Sequence, residues 1–110
     1  MGGRMSPDIR SVLVGLEGQT IATLTGKPNR VLRVTGDTAW VGTARSPHGK
    51  PVPIAEIQAA ADRLFARGEV EIDVRIVGYR SAFVGAVLAT LPNTIAKVNP
   101  RRISLVRPDP

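Results

Sequence analysis

The chain has 110 residues, 43% of them hydrophobic, which is enough to form one globular core. It has no cysteine and one histidine, which excludes disulfides and zinc–thiolate sites. Fifteen Lys and Arg against nine Asp and Glu give a net charge of +6, which favours a polyanionic partner.

The first predicted element is a helix over residues 8–17, with Ser6 as its cap and Pro7 in its first turn. Apolar residues recur there at helical spacing, although the run "SVLVGL" is also β-like. We expect residues 1–7 to be a loose tail, residues 8–106 one domain, and residues 107–110, "RPDP", a linker or frayed end.

The clearest local pattern is a β-hairpin. Two β-rich runs, 31–35 and 38–43, are joined at Gly36-Asp37, and the preceding "GKPN" is typical of a turn. Simple alternation predicts Leu32 and Val34 on one face of the first strand and Val31, Arg33 and Thr35 on the other. In the second strand it separates Trp40 from Ala39 and Val41.

The second half of the chain predicts a loop, two helices and three strands. The polar loop "RSPHGKPVP" precedes an amphipathic helix that Pro53 opens and Gly68 closes. Residues 69–76 alternate as a half-buried strand, an apolar helix runs from about Tyr79 to Leu91, and residues 94–98 and 103–106 are β-like. The fold class is therefore α+β: a small single domain with a hairpin and about three helices, with a winged-helix-like arrangement as one option.

Three basic segments are the candidate binding residues. Residues 26–53 and 77–110 each contain five cations and one acid, whereas residues 54–76 contain three cations and five acids. Within the two basic regions, cations occur beside turn and loop residues that can contact phosphates or base edges. The candidates are Lys27, Pro28, Asn29 and Arg30 in "TGKPNR", Arg45, Ser46, His48 and Lys50 in "ARSPHGK", and Tyr79, Arg80 and Ser81 in "GYRS".

Arg80 is the most informative of these cations. A helix N-terminus carries free N–H groups and a partial positive charge, so an arginine there is unfavourable unless an anion is present. Phosphate is the usual anion at such a position. The alternative is an ion pair with Asp73 or Glu71 from the preceding strand.

Trp40 and His48 each have two interpretations. Trp40 either covers the second face of the sheet beneath a helix or offers a stacking surface. His48 is either a solvated loop residue near a phosphate or a ligand or base. The second interpretation is disfavoured because no acid lies near His48 in the sequence.

No catalytic arrangement is present. Any nucleophile–histidine–acid group would need His48, and no phosphate loop with Walker spacing occurs. We therefore expect a non-catalytic module without metal or cofactor. No apolar run approaches the roughly 18 residues of a membrane span, and no signal peptide is evident, so we expect a cytoplasmic protein without membrane contact.

The stretches "TLTGKPN", "GKPVPI" and "GYRSAFVGAVLATLP" resemble a small accessory DNA-recognition domain of prokaryotic restriction endonucleases. Some of these are HNH-type, modification-dependent enzymes that sense phosphorothioated DNA. The resemblance covers about residues 16–92. It implies a reader of double-stranded DNA that works with a nuclease domain or subunit. For a phosphorothioate, Pro28, Tyr79 and Ala82 would offer apolar surface to the sulfur, and Lys27, Arg30 and Arg80 would supply charge.

Two other functions remain open. One is a protein-interaction or structural domain of a nuclease complex, with Trp40 and the hairpin face as its interface. The other is an RNA-binding protein, which the small number of aromatic residues disfavours. Neither the oligomeric state nor the DNA sequence follows from these patterns.

Overall fold

The computed structural model describes residues 5–73, 80–98 and 100–106. These residues form two antiparallel sheets with strand orders β1-β2-β3-β4 and β5-β7-β6. The elements in chain order are α1 Ile9–Leu16, β1 Thr20–Ala22, β2 Pro28–Thr35, β3 Thr38–Gly42, β4 Lys50–Pro53, α2 Ile54–Arg67, β5 Glu69–Glu71, α3 Ser81–Ala89, β6 Thr94–Lys97 and β7 Arg102–Leu105.

The predicted hairpin is confirmed as β2 and β3, with Gly36 at φ 59° in its tight turn. The face assignment within β2 is wrong, however. Val31 pairs with Val41 and Arg33 with Trp40, so the register shifts by one residue at Leu32. This bulge reverses the alternation and places both Val31 and Val34 towards the core.

The two edge strands of the larger sheet were not predicted from the sequence. Strand β1 has only three residues, and β4 is the proline-rich "KPVP". Proline lacks an N–H group and is tolerated at a sheet edge, where one side of the strand needs no partner. In β4, Pro51 lies opposite Trp40 and Val52 opposite Ala39. The predicted loop therefore ends before Lys50.

The predicted amphipathic helix is confirmed as α2. Pro53 precedes it, and Gly68 ends it in the left-handed conformation, with its N–H bonded to the Leu64 carbonyl. Its apolar stripe packs into the core, with Ile57, Ala61 and Leu64 fully buried.

Helix α1 is confirmed, but the prediction of Ser6 as its cap is wrong. Asp8 occupies the N-cap position, and the Ser6 hydroxyl instead donates to the Asp62 carboxylate on α2. The first N–H of the helix, that of Ile9, donates 2.9 Å to Oε1 of Gln58. The Gln58 amide also donates 2.9 Å to the carbonyl of Pro7. A side chain of α2 thus satisfies the start of α1.

Helix α3 lies in the centre of the molecule. Residues Phe83 to Leu88 are all buried. Gly85 allows a close approach, because a Cβ there would lie 3.0 Å from Cγ2 of Ile72. The predicted strand over 69–76 is observed as Glu69–Glu71, and residues 72 and 73 follow it without belonging to a strand. Residues 74–76, like Tyr79, lie outside the described residues. The last two predicted strands are confirmed as β6 and β7.

The α+β class with three helices and a hairpin is confirmed. A winged helix joins two successive helices through a short turn. In the described residues, by contrast, strands β1–β4 separate α1 from α2, and β5 follows α2. No helix within those ranges is long and apolar enough to cross a bilayer.

Candidate functional site

One cleft brings together residues from all three basic segments. It has a volume of about 370 Å³ and lies between the inner face of the larger sheet and the start of α3. We call it the cationic cleft. Its described lining is Asn29, Val41, Thr43, Arg45, Ser46, Lys50, Val52, Arg80, Ser81, Ala82 and Phe83.

Strand β4 and the loop before it supply two of the cations. Lys50 lies opposite Val41, and directly paired residues in an antiparallel sheet share a face, so Lys50 lies on the inner side. The loop is a tight turn in which the Ser46 N–H donates 3.1 Å to Oγ1 of Thr43. The Thr43 N–H in turn donates 3.1 Å to the Ser46 carbonyl. This turn fixes Arg45 and Ser46 beside the cleft.

The start of α3 supplies the third cation and a helix N-terminus. Arg80 occupies the N-cap position, and its side chain forms no capping hydrogen bond. The first bond of the helix runs from the Val84 N–H to the Arg80 carbonyl, 3.1 Å. The N–H groups of residues 81–83 precede that bond, so the positive end of the helix dipole adds to the charge of the cleft.

The floor of the cleft is apolar except for one amide. Val41, Val52 and Phe83 are each at most 3% exposed. Asn29 is 6% exposed and is one of only two buried polar residues in the described chain. We call Asn29, Val41, Val52 and Phe83 the cleft floor. Within the described ranges, no group forms a hydrogen bond with the Asn29 side chain.

The charge of the cationic cleft is of one sign. Arg45 and Lys50 are exposed and Arg80 is half-buried, and no carboxylate occurs in the described lining. The hydroxyls of Thr43, Ser46 and Ser81 add neutral donors. Cations, hydroxyls and a helix N-terminus around one cavity form an arrangement suited to a phosphate-like anion.

Strand alternation divides the predicted "TGKPNR" segment between two faces. Asn29 lies on the inner side of β2, whereas Pro28 and Arg30 line a second cleft of about 480 Å³ on the outer side. We call this the outer cleft. Its other lining residues are Gly18, Thr20, Leu32, Gly42, Thr43, Ala44 and Pro47.

Trp40 lies on the same outer face of the sheet. Its indole N–H donates 2.9 Å to Oγ1 of Thr35, and the Arg33 guanidinium lies 4.8 Å from the ring centroid. This cation–π contact and a half-buried ring leave part of the indole accessible. The stacking role of Trp40 stays a hypothesis.

The remaining candidates lie elsewhere. Lys27 is exposed in the turn between β1 and β2, where its N–H donates 3.0 Å to Oγ1 of Thr23. His48 is exposed in the loop before β4, and neither residue belongs to the described lining of either cleft. Tyr79 lies outside the described residues. Among those that are described, no three His, Asp or Glu side chains could hold a metal ion together.

The apolar floor of the cationic cleft was not predicted from the sequence. Val41 was predicted only as a strand residue, Val52 as part of the polar loop "RSPHGKPVP", and Phe83 as helix core. The pairing of Val41 with Lys50 would have placed Val41 beneath a cation, but it can be inferred only once "KPVP" is recognised as a strand.

Comparison with protein-family models, with curated proteins and with solved structures gave no match for this chain. Function is therefore inferred from the clefts and their chemistry.

Proposed function

We propose that the chain is a non-catalytic module that binds double-stranded DNA through the cationic cleft. The observation that carries this proposal is the convergence of Arg45, Lys50 and Arg80 on one cavity without a carboxylate in its described lining. Phosphates dominate the affinity of proteins for DNA, and arginine binds them with two parallel hydrogen bonds.

The cleft floor supports the proposal that the chain recognises modified DNA. Hydroxyls and cations at the rim suit a phosphate, whereas Val41, Val52 and Phe83 offer a buried apolar surface beneath it. A phosphorothioate has one oxygen replaced by a larger, softer sulfur that accepts hydrogen bonds poorly, so it gains from apolar contact. The resemblance to accessory domains of restriction enzymes favours the same ligand, and it adds a nuclease domain or subunit as the partner.

A second candidate function is protein interaction, and the outer face of the sheet favours it. Trp40, Arg33 and Pro51 lie side by side there in paired strands, next to the outer cleft. Tryptophan and arginine are enriched in protein interfaces. On this hypothesis the positive charge would be incidental to function.

A titration with three labelled duplexes of one sequence tests the proposal: unmodified, base-methylated and phosphorothioated. We expect salt-sensitive binding to all three and the lowest Kd for one modified duplex. Arg80→Ala should weaken binding of every duplex, by about tenfold if one charge-assisted contact of 1.5 kcal/mol is lost.

Arg63→Ala is the matched control, because Arg63 is exposed on α2 and belongs to no described cleft lining. Its loss removes the same charge and should change Kd much less. Absence of binding to any duplex at low salt would overturn the DNA proposal and favour protein interaction. Equal affinity for all three duplexes would overturn modification reading while retaining DNA binding.

A further inference from the structure

Asn29 is the buried polar residue in the floor of the cationic cleft. It is 6% exposed, and within the described residues its amide has no hydrogen-bond partner. An asparagine amide carries two donor hydrogens and one acceptor oxygen, whichever way the group is turned. A ligand that displaces water from the cleft floor must replace both kinds of hydrogen bond, or the complex loses affinity.

A phosphate alone does not meet this requirement. Ionised phosphate and phosphorothioate groups only accept hydrogen bonds, so they would pair with the NH₂ of Asn29 and leave its oxygen unsatisfied. The rim already offers Arg45, Lys50 and Arg80 to such an anion. The Asn29 amide therefore suits a neutral group with a donor beside an acceptor.

The size of the cleft also exceeds what a single phosphate needs. Its volume of about 370 Å³ lies in the range of roughly 300–1,000 Å³ that is typical of small-molecule sites. Phe83 and Val52 make the cleft floor apolar, which suits a flat, uncharged group. A nucleobase has this shape, and its edges carry adjacent donors and acceptors.

We propose that the cationic cleft takes an unstacked nucleobase together with its phosphate, and that Asn29 reads the edge of that base. This inference rests on the proposed DNA binding and names the part of the DNA that enters the cleft. A base still stacked in a duplex cannot reach a side chain on the floor of a cleft, so the base must leave the stack. Asparagine can form two hydrogen bonds with the edge of adenine, so adenine is the expected base.

Unstacking a base costs free energy, and the cost is lowest where the base has no pairing partner. The test therefore compares duplexes that are identical except at one central position. There, each of the four bases stands in turn opposite its complement or opposite an abasic site. We expect the wild-type chain to bind one of the abasic duplexes about tenfold or more tightly than its matched counterpart. We also expect 2-aminopurine at that position to fluoresce more strongly when the protein is added.

Two substitutions connect this preference to Asn29. Asn29→Leu removes the amide at similar size. Asn29→Asp keeps the shape, removes the donors and adds a negative charge that should also weaken binding of every duplex. Both should abolish the preference for the abasic duplex, and Asn29→Leu should retain salt-sensitive binding through the rim. Arg45→Ala is the matched variant, because it should weaken all duplexes by a similar factor and keep the preference. Thermal unfolding of each variant reports whether it folds.

The outcomes separate this inference from the proposed function. Salt-sensitive duplex binding with no abasic preference and no fluorescence increase would overturn base entry and leave DNA binding intact. A preference that survives in folded Asn29 variants would overturn the role of Asn29. If neither variant folds, the wild-type preference and fluorescence decide base entry. Failure to bind any duplex would overturn the proposed function itself.

Discussion

At the scale of single residues, Asp62 shows how the N-terminal segment is attached. Its carboxylate on α2 accepts hydrogen bonds from the Ser6 hydroxyl and, at 3.0 Å, from the Gln58 amide. These two bonds hold the pKa of Asp62 below its ordinary value, and the bond from Ser6 has the larger effect. Met5, one residue earlier, is 90% exposed. Among the described residues, the attachment of the segment before α1 therefore begins at Ser6.

The pKa of Asp62 gives a prediction about pH. Because the folded-state pKa is lowered, the carboxylate stabilises the fold above its unfolded-state pKa. That contribution is lost as the pH falls through the lower, folded-state pKa. Ser6→Ala removes the larger cause, so we expect the pKa of Asp62 to rise towards its ordinary value. An NMR titration of the side-chain carboxyl carbon measures this.

Ser11→Ala is the control for this titration. The Ser11 hydroxyl donates a similar hydrogen bond, 2.8 Å long, to a different carboxylate, that of Asp8. Its removal should leave the pKa of Asp62 unchanged. If Asp62 titrates identically in the wild type and in Ser6→Ala, the Ser6 bond does not hold the carboxylate in solution.

The bulge in β2 explains why the predicted face assignment of that strand is wrong. Period-two alternation assigned Val31 and Arg33 to one face, but the register shift at Leu32 separates them. A bulge depends on how two strands pair, and "RVLRV" alone contains no glycine that would signal one. The same shift places Arg33 against Trp40.

At the scale of elements, the end of α2 depends on one left-handed residue. Gly68 has φ 85°, and a Cβ there would meet nothing within 4 Å. The cost of Gly68→Ala is therefore conformational, and we expect it to lower the free energy of unfolding by roughly 1 kcal/mol. Chemical denaturation monitored by circular dichroism measures the change.

Gly15→Ala is the opposite substitution in α1. Gly15 is inside the helix, and a Cβ there would also meet nothing within 4 Å. Alanine is the better helix former, so this variant should gain about 0.5 kcal/mol. A loss of equal size in both variants would mean that the added methyl group, and not the backbone conformation, determines the effect at Gly68.

The elements differ in how far the sequence could predict them. Helix α2 and the β2–β3 hairpin each contain residues that mark their ends and a regular apolar pattern between them. Local sequence was therefore sufficient to predict both elements. Strands β1 and β4 are short edges whose formation depends on pairing with neighbours, and Pro51 and Pro53 read locally as loop. The cap of α1 depends on Gln58, which is remote in sequence.

At the scale of the whole molecule, the candidate site was predictable only in part. Charge clustering identified Arg45, Lys50 and Arg80, and the folded chain brings these three to one cavity. It did not predict which face each residue of "TGKPNR" would occupy. Asn29 turns inward and Arg30 outward because consecutive residues of a strand alternate, and the extent of β2 was not evident from the sequence.

The two faces of the larger sheet allow a final prediction about the proposed DNA binding. Arg45→Ala and Arg30→Ala each remove one positive charge from a chain of net charge +6, so their effects on long-range attraction are alike. Arg45 lines the cationic cleft and Arg30 the outer cleft. If the cationic cleft holds phosphate, Arg45→Ala should reduce the slope of log K against log salt by about 0.9, and Arg30→Ala by much less. Duplex titrations at four or more salt concentrations give both slopes. A larger reduction for Arg30 would assign the DNA to the outer face, beside Trp40, and would leave the cationic cleft without a role in duplex binding.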